Sequence, residues 1–143
     1  MLCFKQAYKA QGANSSYAYK KISKKNLIIN LQKCNGMNIE NVQFIDLRDW
    51  VSKGRQDDFD DQHYFHRYDM ELLMTSETAR QRLAFSWVND LQIKMEGNTE
   101  KYIWENFEIQ HSGRKMYAIK IYINGYEFIS FKCREVMEVY EVL

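Results

Sequence analysis

The chain has 143 residues, of which 45% are hydrophobic, 15% aromatic and 27% charged. That composition forms a core and excludes a disordered chain, and the length is that of one domain. Three scattered cysteines, Cys3, Cys34 and Cys133, contain no Cys-x-x-Cys pair, which excludes a disulfide framework and a zinc knuckle.

No apolar run is long enough for a signal peptide or a bilayer span, so the expected setting is a reducing cytoplasm with no membrane partner. The net charge of +1 hides an asymmetry. Residues 1–55 carry ten Lys/Arg against three Asp/Glu, and residues 56–143 carry ten against sixteen. A basic front joined to an acidic back points to a phosphate-bearing or acidic partner, or to two solvated faces of one globule.

Proline is absent and glycine occurs only six times, so element boundaries must come from periodicity and turn residues. Residues 1–25 read as a basic N-terminal arm on a single domain spanning 1–143, with the polar run Gln11 to Ser16 as its break. Leu27-Ile28-Ile29-Asn30-Leu31 reads as a strand on its β-branched content. Val42 to Leu47 alternates as a second strand, and Gly54 to Arg67 is an acid-rich connection. Met70 to Met74 is a further strand or the first turn of a helix.

After a Thr75 or Ser76 cap, Leu83, Ala84, Trp87, Val88, Leu91 and Met95 recur at three- and four-residue steps. That spacing predicts a long amphipathic helix over about 76–96, ended by Gly97-Asn98. A three-stranded antiparallel meander follows over about 102–133. Asn124-Gly125 forms its second turn, because both central residues of a type I′ turn need positive φ. This turn sets Tyr126 opposite Ile123, Phe128 opposite Ile121 and Ile129 opposite Lys120. A similar turn at Ser112-Gly113 would put Trp104 beside Ile121 and Glu105 beside Lys120.

Both faces of that meander are then apolar, so the outer one needs a second layer, a binding partner or a homodimer contact. Glu135, Glu138 and Glu141 at three-residue steps predict a short C-terminal helix. The fold class expected is therefore α+β, with antiparallel sheet and one long helix.

Chemistry-bearing motifs are few. Asp57 to His66 holds acids and two histidines but matches neither a zinc helix nor a calcium loop, and it reads as a solvated acidic loop. There is no nucleophile elbow and no phosphate-cradling glycine loop. No catalytic residue, metal or cofactor is expected, and the chain reads as a binding protein.

The segment Tyr17-Ala18-Tyr19-Lys20-Lys21-Ile22-Ser23-Lys24-Lys25 interleaves rings that stack on bases with ammonium groups that neutralise phosphates. It also reads as a plain solvated basic stretch. Phe44 to Trp50, together with the strand-cap-helix passage Glu71 to Ala79, resembles parts of the positive-cofactor-four and Whirly group of single-stranded nucleic-acid-binding proteins. The resemblance implies a sheet-plus-helix fold and adds Arg48 and Trp50 as contacts. The acidic run Asp57 to Asp61 departs from the basic turn of that group.

The function expected is non-enzymatic binding of single-stranded or unwound nucleic acid through Tyr17, Tyr19, Lys20, Lys21, Lys24, Lys25, Arg48 and Trp50. The alternative is a small protein-binding inhibitor of the immunity or phage anti-defence type. It would block a basic, nucleic-acid-processing partner, with Asp57 to Asp61 mimicking phosphate.

Overall fold

A computed structural model of the chain describes residues 3–6, 17–45, 68–95, 101–113 and 115–141. The expected break at 11–16, the helix end at Gly97-Asn98, the acidic run at 57–66, and Arg48 and Trp50 lie outside them.

In chain order the elements are β1 (Cys3–Gln6), β2 (Tyr17–Lys21), α1 (Lys24–Gln32), β3 (Asn38–Ile45) and β4 (Tyr68–Thr75). There follow β5 (Arg80–Ile93), β6 (Asn106–His111), β7 (Tyr117–Ile123), β8 (Tyr126–Cys133) and β9 (Glu135–Glu141). All nine strands join one mostly antiparallel sheet curled into a half-barrel.

This corrects the expected α+β class, and the reason lies in β5. Leu83 to Val88 is buried at every position. A central strand covered on both faces loses its period of two, and here its apolar residues also fall into a helix-like stripe. The supposed helix cap misleads for a related reason. Ser76 Oγ accepts from the backbone N–H groups of Thr78 and Ala79, as an N-cap oxygen would. The same bonds, with Ser76 N–H to Ala79 O at 2.8 Å, close the β4–β5 turn.

The C-terminal helix is also replaced by a strand. β9 pairs with β2 on one side and with β5 on the other. Conversely, Leu27 to Leu31 belongs to helix α1 rather than a strand. Leu27, Asn30 and Leu31 are buried at helical spacing, while Ile28 and Ile29 are more than half exposed.

The meander β6–β7–β8 is present. Asn124 (φ 47°) and Gly125 (φ 79°) form its second turn, and Ile123 faces Tyr126 as the turn requires. Beyond that pair an extra residue, Phe128, bulges into β8, so Ile121 faces Ile129 and Lys120 faces Ser130. The first hairpin is looser, closing through Ser112 N–H to Met116 O at 3.0 Å. Phe107 therefore faces Ile121, and Glu108 faces Lys120.

These shifts turn Phe107, Ile109, Ile129 and Phe131 toward the core beside Ile119, Ile121 and Ile123. Glu108, Lys120, Tyr122, Glu127, Ser130 and Lys132 share the opposite, polar side by register. Among the described residues, the side of the meander expected to be a second apolar face is polar.

β5 is the hinge of the sheet. Its first half pairs with β4 and β9, and its last residues pair with β8. Register shifts lie where it bends, and Trp87 (φ 55°) and Asp90 (φ 53°) take left-handed backbone there. The far edge is drawn back toward β3 by residues 102–104. Trp104 N–H donates to Met37 O at 2.8 Å, Gly36 N–H to Trp104 O at 2.7 Å and Ile39 N–H to Tyr102 O at 2.7 Å. Leu27 and Leu31 of α1 join the core enclosed by this curl.

A candidate anion-binding cleft

Three separate stretches of chain meet at a cleft of about 520 Å³. β2 and the residues after it contribute Lys21 and Ile22, and the first turn of α1 contributes Lys24. The β6–β7 hairpin contributes His111, Lys115 and Tyr117, and the junction of β8 and β9 contributes Arg134, Glu135 and Val136. Four permanent cations face one carboxylate, a net of +3 with His111 uncounted.

Each wall has a local cause. Lys21 sits on an edge strand, where lysine is a common guard against further pairing. Lys115 (φ 60°) and Gly113 (φ 69°) turn the hairpin through left-handed backbone. The His111 and Tyr117 rings, opposite each other in the ladder, lie 5.3 Å apart between centroids.

Arg134 occupies the bend between β8 and β9, where its N–H donates to Ser86 O at 2.9 Å. Glu135 N–H donates to Ser86 Oγ at 3.1 Å. The Arg134 guanidinium lies 4.2 Å over the Trp87 ring. Trp87 holds its left-handed backbone because its N–H donates to Asp69 Oδ1 at 3.0 Å, and Asp69 is buried. A bulky residue at positive φ stores backbone strain that the surroundings must sustain.

Beside this cleft, a smaller one of about 310 Å³ is lined by Lys20, Lys21, Ile22, Ser23, Asn26, Asn30 and Glu138. Lys21 stands between the two and joins them into a basic track.

The cluster inferred from sequence is thus divided. Lys21 and Lys24 reach the main cleft, Lys20 the smaller one, and Lys25 is exposed on α1 outside both. The two tyrosines face elsewhere. Tyr19 is buried, with its hydroxyl 3.5 Å from Glu71 Oε2, so its ring is not a stacking surface. Tyr17 is half-buried, with the Arg82 guanidinium 4.5 Å over its ring. Arg82 in turn donates to Glu71 Oε1 at 2.7 Å.

Sequence reasoning missed His111, Lys115, Tyr117 and Arg134. The first three flank a hairpin that the sequence does announce, so a basic residue in that loop was a usable signal. Arg134 had none, because its place depends on the bend in β5.

Nucleophilic chemistry finds no support in the two described thiols. Cys34 and Cys133 are free and buried. Burial pushes the Cys34 pKa up to about 12. Burial, and secondarily the Glu135 charge, pushes that of Cys133 well above the usual thiol range. Among the described residues no cluster of His, Cys, Asp and Glu could hold a metal ion. Nor is any described helix long and apolar enough to cross a membrane.

Comparison with protein-family models, with curated proteins and with solved structures finds no match for the chain. The strand-cap-helix passage behind the resemblance noted above is, in this fold, strand β4 followed by the turn into β5.

Proposed function

We propose that the protein is a non-enzymatic binder of single-stranded nucleic acid, gripping the backbone through the basic cleft rather than through a free N-terminal arm. One observation carries the reading: Lys21 and Lys24, Lys115, and Arg134 converge from three separate stretches of the chain. Phosphate oxygens are the common ligand of such a set, because lysines supply neutralising charge and arginine supplies a planar pair of donors. The His111 and Tyr117 rings at the rim offer a surface on which an unpaired base stacks.

A cytoplasmic location accords with two unpaired, buried thiols. The acidic run of the competing inhibitor reading lies outside the described residues, and no described feature favours that reading.

The test is fluorescence anisotropy of a labelled, mixed-sequence single strand titrated with the protein over a salt series. Micromolar or tighter binding that weakens steeply with salt is the expected result. Absence of binding at low salt would remove the proposal.

A further inference from the structure

The smaller cleft differs in kind from the one it adjoins. Both are lined by Lys21 and Ile22, but the main cleft is dominated by cations, whereas the smaller one adds Ser23, Asn26, Asn30, one further cation in Lys20, and Glu138. Across the ladder from Lys20, the half-buried Glu138 carboxylate enters no hydrogen bond or ion pair among the described residues. The Ser23 hydroxyl is also uncommitted, since Ser23 stands at the N-cap of α1 without making the side-chain capping bond.

An ionised carboxylate only accepts hydrogen bonds and repels phosphate, so beside a phosphate track it weakens binding unless the strand brings a donor to it. A DNA backbone carries acceptors alone. An RNA backbone carries a 2′-hydroxyl at every nucleotide, and that group both donates and accepts.

We infer that the bound strand is RNA, with phosphate in the main cleft and a neighbouring ribose in the smaller one, its 2′-hydroxyl donating to Glu138 and accepting from Ser23. The volume of about 310 Å³ suits one sugar. The inference rests on the nucleic-acid reading and names the sugar that the site selects. Glu138 is then a specificity-determining residue: it repels a deoxy strand following Lys20 and Lys21 and holds a ribose one.

The experiment compares three labelled strands of one length, made of uridine, 2′-fluorouridine or 2′-deoxyuridine, with the intact protein at low salt and over a salt series. The base is the same in all three, and the fluorinated sugar keeps the pucker of RNA without its donor. The uridine strand should bind about tenfold more tightly than the other two, the size of one hydrogen bond to a charged group. In Glu138→Ala that advantage should fall below about twofold, and the deoxy strand should bind more tightly than it does to the intact protein, because a repelling charge has gone.

Equal binding of the three strands to the intact protein, still steeply salt-dependent, would overturn the ribose inference and leave the nucleic-acid reading standing. Uridine and fluorouridine strands that bind alike, and more tightly than the deoxy strand, would overturn it too, since sugar shape rather than the hydroxyl would then be read. So would an advantage of the uridine strand that survives in Glu138→Ala. If no strand binds at low salt, the inference and the reading fall together.

Discussion

On one face of the sheet made by β3, β4, β5 and β9, Val42, Leu72 and Leu83 line up across strands beside Met70, Phe85 and Val136, an apolar packing surface. On the opposite face of the same strands, Ala84, Met137 and Val139 share space with Gln43, Asp69, Glu71, Ser86 and Glu135, all buried. Strand β4 shows both at once: Met70, Leu72 and Met74 point one way, and Asp69, Glu71 and Leu73 the other.

The contrast separates two tasks. Apolar burial is non-directional and stabilises the curl wherever the volumes fit. Buried carboxylates and hydroxyls are directional, and here they hold particular groups: Glu71 holds Arg82, Asp69 holds the Trp87 backbone, and Ser86 holds the junction that presents Arg134. The first face maintains the fold, and the second aims the cleft.

That division is open to attack by substitution. The largest effect belongs to the apolar face. Phe85→Ala removes a fully buried ring packed edge-on against Phe131 at 4.8 Å, and should lower unfolding free energy by about 3–5 kcal/mol in chemical denaturation. The fraction that remains folded should keep its affinity for single strands.

Asp69→Ala should cost less, about 1–3 kcal/mol, for a buried N–H left without its acceptor. In the same protein single-strand affinity should fall, because Trp87, over whose ring the Arg134 guanidinium lies, loses the bond that fixes its backbone. Affinity lost in folded Phe85→Ala and kept in Asp69→Ala would reverse the roles assigned to the two faces.

The smallest effect concerns pH. Cys34 has a pKa raised from 9.0 to about 12 by burial. A raised folded value means that the contribution of the thiol is fully present below pH 9 and is lost as pH climbs toward 12. Between pH 9 and pH 10 the intact protein should lose about 1 kcal/mol more stability than Cys34→Ala, measured by denaturation at fixed pH steps.

The same division explains what could be read from the sequence. The β7–β8 hairpin was legible because Asn124-Gly125 specifies its own backbone without help from distant residues. Its register held only as far as the bulge at Phe128, which nothing local announces. The residue types of Leu27 to Leu31 favour a strand, whereas the spacing of those that α1 buries is helical. β5 mimics a helix because a strand covered on both faces has no alternation to show, and Ser76 makes the bonds of a helix cap inside a turn. Two residues of the cleft, Lys21 and Lys24, lay in a visible basic run. Arg134 was invisible, since its position follows from the bend of β5 at Trp87.

The measurement that bears most directly on the cleft is the salt dependence of single-strand binding for the intact protein and for the variant carrying Lys21→Ala, Lys24→Ala and Lys115→Ala. All three lysines are exposed, so the variant should fold normally. Loss of three phosphate contacts should reduce the slope of log affinity against log salt by about 2, with weaker binding throughout. An unchanged slope and affinity would show that the strand, if bound, is bound elsewhere, and would contradict the assignment of the cleft.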